Sequence, residues 1–248
     1  MTLQFNEELH KYTWLEEPDI LLTSVSTLIG YYHEKFDEDK MSKKVADKRK
    51  VSQEQILEEW KLTREKAATK GTLYHAKKEK ESLAKSGVFK HPEVNGLKQA
   101  LDITELKPGI YPELILYHPD YNIVGTADSV EIYSDNTFDL SDFKTNKKLD
   151  FSGYPVYNPK THTREPKKMF VPLSHLEDCN GIHYTLQLSS YAFILEEAGY
   201  TPRNLRIDHV QFDEDEQDIM IIPYSINYLK KEVKNMFEHF KSNKSKHK

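Results

Sequence analysis

One α/β domain is the architecture this sequence predicts, and three observations lead to it. Helix-spaced apolar residues fill much of the first hundred positions. Three β-rich runs follow one another between 110 and 145, and helical spacing returns at 183–198 ahead of two further β-rich runs. Helices, a sheet, another helix and more strands cover one another's apolar faces as a single layered unit. With 248 residues the chain is long enough for one well-buried core. The expected layout is one domain over 1–248, with an N-terminal hairpin and helices at 1–70. A core at 71–222 contains a loop at 146–182, and a C-terminal helix and basic tail occupy 223–248.

Residues 3–23 alternate apolar and polar around Pro18-Asp19, which predicts a hairpin. Ser24-Val25-Ser26-Thr27 leads into Leu28, Ile29 and Tyr32 as a capped helix start. Ser52 with Gln55 three residues later has the form of a capping box, and Ile56, Leu57, Trp60 and Leu62 continue at helical spacing. A second helix is expected after Gly71, through His75 toward Ala84, and a shorter one at 93–105. Residues 110–117, 121–133 and 137–145 are β-branched and aromatic, separated by His118-Pro119-Asp120 and Ser134-Asp135-Asn136, which predicts a three-stranded meander. The stretch 146–182 is polar, carries four prolines and has little periodicity. So long an irregular segment inside a domain is usually functional. Strands are expected at 205–212 and 217–222, a helix at 224–241, and a fraying basic tail at 242–248.

Hydrophobic residues make up 38% of the chain and charged residues 30%, as in proteins with a highly solvated surface. A net charge of −5 argues against coating nucleic acid through bulk positive charge, but leaves room for a local basic patch beside an acidic site. Cys179 is the one cysteine, so no intramolecular disulfide and no cysteine-only zinc or iron–sulfur cage can form within one chain. The N-terminal residues lack the basic and apolar regions of a signal peptide, and no apolar run approaches the roughly 20 residues that span a bilayer. The expectation is a soluble, cytoplasmic protein with no membrane partner.

Chemistry concentrates in Gly125-Thr-Ala-Asp128 and Asp142-Phe-Lys144. Residues i and i+2 of a strand share a face, so Asp142 and Lys144 project together and Phe143 points the other way. A hairpin centred on Asp135 sets Asp128 opposite Asp142, each seven residues from the centre. Directly paired residues have Cβ atoms about 4.5–5.5 Å apart. Two facing carboxylates repel unless a cation lies between them, and hard oxygens suit Mg²⁺ or Mn²⁺. The Phe143 carbonyl can add another oxygen. Taken alone, an Asp-x-Lys tripeptide is common and reads as a surface ion pair. Glu113 on the first strand of the meander, His75 on a helix, and Gln187 with Tyr191 at i and i+4 on a later helix each have an equally ordinary structural role when considered singly.

In order, these residues resemble the RecB-like exonuclease branch of the PD-(D/E)XK nuclease superfamily. Its pattern is Gly-x-x-x-His, Glu, Gly-x-x-Asp, Asp-x-Lys and Gln-x-x-x-Tyr. Here it is matched by Gly71 with His75, Glu113, Gly125 with Asp128, Asp142 with Lys144, and Gln187 with Tyr191. His10-Lys-Tyr12, Ser24-Val-Ser-Thr27 and Phe36-Asp37 also resemble phage-encoded and mitochondrial genome maintenance exonucleases. The resemblance implies a restriction-endonuclease-like core, a mixed central β-sheet flanked by helices. It implies that His75, Asp128, Asp142 and the Phe143 carbonyl hold a catalytic Mg²⁺ or Mn²⁺, and that Glu113 serves a second metal or its water. Lys144 is then the residue that positions or activates the attacking water, and Gln187 and Tyr191 brace the site. Relatives in this branch that carry an iron–sulfur cluster use four cysteines, so none is expected here. The absence of a Gly-x-x-x-x-Gly-Lys-Ser/Thr loop implies no nucleotide, and any helicase or recombination protein is a separate chain.

Basic residues flank the expected site at Lys147 and Lys148, and again at Lys160, Arg164, Lys167 and Lys168, interleaved with aromatics that include Tyr154 and Tyr157. Cations that neutralise phosphates beside rings that stack on bases suit a single strand of DNA. The functional expectation is a metal-dependent deoxyribonuclease acting from a DNA end, on single-stranded or frayed DNA, in phage-type replication, recombination or repair (in the host cytoplasm if phage-encoded). A structure-specific or restriction-like endonuclease and a non-catalytic DNA-binding module remain as alternatives.

Overall fold

The computed structural model describes residues 2–213 and 219–243. Strands β1 (Leu3–Asn6) and β2 (Lys11–Trp14) form the first hairpin. Its turn is at 7–10, where Asn6 Oδ1 accepts the Leu9 N–H at 2.9 Å, and not at Pro18-Asp19 as the alternation suggested. A two-residue strand, β3 (Thr23–Ser24), runs into α1 (Val25–Gly30), whose first turn is capped by Ser24 Oγ accepting the Thr27 N–H at 3.1 Å. Helix α2 (Glu38–Arg49) is followed by α3 (Gln53–Leu83), and the capping box at Ser52 and Gln55 makes both of its bonds, each 3.2 Å.

Two expectations fail in the next stretch. Gly71 does not start a helix; α3 runs through it unbroken for 31 residues. A side chain at Gly71 would come within 3.2 Å of Thr145 Oγ1, so the glycine serves a close approach and not a boundary. Residues 93–105 are not helical. Strands β4 (Glu93–Val94) and β5 (Leu97–Gln99) are joined by Asn95-Gly96, both with left-handed φ (54° and 75°), a two-residue turn whose twist suits a hairpin. β5 pairs with β1, giving a four-stranded sheet in the order β2-β1-β5-β4.

The meander forms as expected: β6 (Gly109–His118), β7 (Ile123–Ile132) and β8 (Thr137–Lys144). After a small hairpin of β9 (Pro155–Asn158) and β10 (Thr163–Pro166), which gives 146–182 more order than its composition suggests, helix α4 covers Asn180–Glu197. Strands β11 (Thr201–Phe212) and β12 (Ile219–Ser225) and helix α5 (Lys230–Asn243) complete the chain. The last helix begins later than expected because 219–225 extends as a strand. Gln217 and Asp218 of the expected strand, and 244–248 of the expected fraying tail, lie outside the described residues.

The main sheet has the order β12-β11-β8-β7-β3, with β6 on β7, and it is mixed: β11 runs parallel to β8 and β3 parallel to β7, while the other pairs are antiparallel. Helices α1, α4 and α5 cover one face through a core that includes Leu28, Leu116, Phe138, Leu186, Phe193 and Phe237. On the other face Ile115 and Val124 pack with Leu3, Phe5 and Trp14 of the small sheet. The chain is an α/β protein with mixed and antiparallel sheets flanked by helices. Among the described residues, no helix is long and apolar enough to cross a membrane.

Candidate active site

A strand has two edges. β6 covers one edge of β7 from end to end, while the other is shared: β8 pairs with Ser129–Ile132 and β3 with Ile123–Val124. Between them, 125–128 has no strand partner on that side among the described residues. Asp128 stands at this opening, one step beyond the Ser129↔Ser141 rung, in the register that the turn at Asp135 predicts. Its Oδ2 accepts the Phe143 N–H at 2.7 Å. Tyr191 of α4 packs so closely on Gly125 that an added Cβ would lie 2.6 Å from its Cε1, which is why this position takes glycine.

The alternation of both β6 and β7 slips at this level. Tyr111 and Leu114 enter the same helix-side core although they are three residues apart, and so do Ala127 and Val130. Strict alternation would place each pair on opposite faces. Glu113 sits at the slip with φ of 51°, a conformation that costs a non-glycine residue about 1–3 kcal/mol. Its neighbours pair as Pro112↔Ser129 and Leu114↔Ala127, and the rung between Glu113 and Asp128 is missing. The half-buried Glu113 and Asp128 side chains thereby meet His75 from α3. His75 Nδ1 is 3.4 Å from Asp128 Oδ2 and 3.9 Å from Glu113 Oε1. Hydrogen bonding to Asp128 and then Glu113 pushes the imidazole up to about 10. Burial and the neighbouring Asp128 charge raise Glu113 above the ordinary carboxylate range, although His75 opposes them.

A second chain of contacts lies beside this cluster. Asp142, 2% exposed, places Oδ2 at 2.5 Å from Lys144 Nζ. Among the described residues this buried oxygen has the ion pair but no hydrogen-bond donor. Lys144 Nζ donates to Gln187 Oε1 at 3.0 Å, and Gln187 Nε2 donates to the Tyr191 hydroxyl at 3.2 Å. Burial, and then the Asp128 charge, push Asp142 well above its usual range. Burial acts against the Lys144 ammonium, but the charges of Asp142 and Asp128 outweigh it and the net direction is up.

The structure therefore gathers His75, Glu113 and Asp128, whose ligand atoms lie within 4.8 Å of one another. Asp142, expected as a co-ligand, falls outside that group of three because its carboxylate is turned against the Lys144 ammonium, which neutralises it in a dry setting. Phe143 presents its N–H to Asp128, and its ring meets Tyr74 and His75 edge-on. Lys147, Lys148, Tyr154, Tyr157, Lys160 and Arg164 are exposed as a strand-binding surface requires. Lys167 is not available for that role: its Nζ bridges Glu34 at 3.0 Å and Asp178 at 3.1 Å. Lys168 is partly engaged by Glu177 at 3.6 Å. Residue-level reading missed Tyr184, whose ring lies 4.5 Å from Lys144 Nζ and whose spacing of three from Gln187 on one helix face was the available signal. It also gave no role to the hydroxyl pair of Tyr12 and Thr126, 2.7 Å apart. A cleft of about 920 Å³ opens onto His75, Glu113, Asp128 and Tyr191, with Tyr12 and Ser26 on its wall.

No family model and no curated protein matches the chain. Among solved structures, one described as "Crystal structure of SSO0001" is similar over 92% of this chain and 80% of that one, at 13% identity and a TM-score of 0.36. A likeness at that level leaves fold family and function to be argued from the chain itself.

Proposed function

We propose that this chain is a metal-dependent DNA exonuclease of the PD-(D/E)XK type, with a restriction-endonuclease-like core and a cytoplasmic site of action. The observation that carries the reading is the convergence of an imidazole and two carboxylates on one cleft, with a buried Asp–Lys–Gln–Tyr chain directly beside them. Such a set fits a divalent cation. Three acidic side chains are crowded together, two of them pushed above their usual range, and a buried Asp142 oxygen lacks an aligned donor. A cation relieves all of this at once. His75, Glu113 and Asp128 would hold Mg²⁺ or Mn²⁺, with Asp142 joining if its carboxylate turns from Lys144. The nitrogen of His75 makes Mn²⁺ at least as acceptable as Mg²⁺.

When bound, the ion supplies Lewis acidity toward a phosphodiester oxygen and toward water. The protein's own groups do the rest. Lys144 holds a positive charge where negative charge builds up on the phosphate, and Asp142 and Gln187 fix the position of its ammonium. Because that ammonium is already desolvated, it needs little rearrangement during reaction. Tyr191 closes the back of the cleft and fixes Gln187. The exposed Tyr154, Tyr157, Lys160 and Arg164 of the β9–β10 region supply stacking and charge for a single strand.

The test is digestion of end-labelled linear single- and double-stranded DNA and of a covalently closed circle, with and without Mn²⁺. Degradation of linear DNA alone, lost on chelation, is expected. Cutting of the circle would assign an endonuclease instead. Tight DNA binding with no metal-dependent cleavage would leave a non-catalytic binding module.

A further inference from the structure

A second group of ligating side chains lies away from the cleft. His33 is in the connection after α1, Asp178 lies two residues before α4, and His183 is on its first turn. Each offers one ligand atom, and these atoms lie within 4.8 Å of one another. The two imidazoles stack with ring centroids 4.2 Å apart and planes 22° from parallel.

His33 and Asp178 are already oriented as ligands by their other contacts, and His183 offers an unpartnered nitrogen. His33 Nδ1 is 3.2 Å from the Glu34 carbonyl. A carbonyl only accepts, so Nδ1 is the donor there and Nε2 is the nitrogen left to face a ligand. Asp178 gives Oδ2 to Lys167 at 3.1 Å, and Lys167 is itself held by Glu34 at 3.0 Å. That leaves Oδ1 for another partner. His183 Nε2 lies 3.0 Å from this Oδ1, yet it is buried and forms no aligned hydrogen bond with it. The carboxylate oxygen is off the nitrogen's in-plane axis, and among the described residues this nitrogen has no other hydrogen-bond partner. Metal-binding histidines characteristically give their second nitrogen to a carbonyl or carboxylate, and ligating carboxylates are held by an outer partner. His33 and Asp178 both show that arrangement.

We propose that His33, Asp178 and His183 form a divalent-cation site selective for a zinc-class ion, distinct from the His75–Glu113–Asp128 cluster. Two imidazoles and one carboxylate suit Zn²⁺ with water in the fourth place, whereas Mg²⁺ demands six oxygens in near-octahedral array. Closing to bonds of about 2.0–2.2 Å requires the stacked rings to tilt. His33 can do so because it stands on an irregular connection. The site ties that connection and the base of 146–182 to α4, on the helix face that carries Gln187 one turn later. It does not rest on the nuclease reading.

The experiment is competition titration of Zn²⁺ into chelator-stripped full-length protein in a large excess of Mg²⁺, together with the visible spectrum of the Co²⁺ form. One Zn²⁺ per chain and intense tetrahedral Co²⁺ bands are expected in the wild type and in Glu113→Gln. In His33→Ala and His183→Gln, affinity should fall at least about tenfold and the bands should vanish. Circular dichroism checks folding, and the half-buried His33 decides the matter if His183→Gln fails to fold. Absence of Zn²⁺ binding, binding and spectra unchanged by His33→Ala, or loss in Glu113→Gln alone would each overturn the assignment.

Discussion

His75 is the residue at which protonation and metal binding compete. Its folded-state value of about 10 lies above the ordinary 6.5. In the metal-free protein it therefore adds stability that is fully present below about pH 6.5 and is lost as pH rises through about 10. Glu113 and Asp142 are raised as well, so ionising them also costs stability as pH rises. The thermal midpoint in chelator should fall between those pH values, and His75→Ala should flatten the curve; a wild-type midpoint that rises over this range would contradict the assignment. A cation must displace the imidazole proton, so Mn²⁺ affinity should climb by about tenfold per pH unit below that pKa. Calorimetric titration in buffers of different ionisation heat reads the released proton. Lys144 is the second pivot. Lys144→Met should reduce cleavage roughly a hundred- to ten-thousand-fold. It should also destabilise by about 3–5 kcal/mol, because buried Asp142 is left without its counter-charge. Adding Asp142→Asn should recover most of the stability and none of the activity. Cleavage near the wild-type level in Lys144→Met would remove the catalytic role given to Lys144.

Among the elements, the β9–β10 hairpin makes the sharpest claim, because it pairs with no other strand among the described residues. Replacing Pro155–Pro166 with a short Gly-Ser link should leave the thermal midpoint almost unchanged and weaken binding of single-stranded DNA. With the charges of Lys160 and Arg164 removed, the dependence of log affinity on log salt should become shallower by about 0.7 for each phosphate no longer neutralised. An unaltered slope would exclude the hairpin from the strand's path. The elements also show where sequence patterns mislead. The ends of α3 were marked by Ser52 and Ala84, but Gly71 in its interior imitated a boundary. Its actual constraint, Thr145, lies 74 positions further along the chain. Asn95-Gly96 marked a hairpin, yet the short strands beside it are too brief for alternation to outweigh helical spacing.

At the scale of the molecule, α4 joins the core to the site. Its inner residues are buried along most of its length, Tyr191 reaches the cleft, and Gln187 on the same helix links Tyr191 to Lys144. α5 closes the core beside it with Val233, Met236, Phe237 and Phe240. Phe237, fully buried and in edge contact with Phe193, should cost about 3–5 kcal/mol when replaced by alanine, measured by denaturant unfolding. If the destabilisation were under about 1 kcal/mol, α5 would not be an integral part of the fold.

The α/β class, the meander, the register that brings Asp128 toward Asp142, and the i and i+4 placement of Gln187 and Tyr191 were all fixed by local chemistry. Turn residues set register and strand or helix period sets faces, and both act over a few positions. Tertiary structure alone decided that Glu113 turns left-handed and shifts two strands out of alternation together, that Asp142 stays outside the His75–Glu113–Asp128 group, and that Lys167 serves Asp178. It also brought His33 beside His183. These outcomes depend on which charges and carbonyls are left facing one another once the core has closed, and that balance is set by groups far apart in the chain.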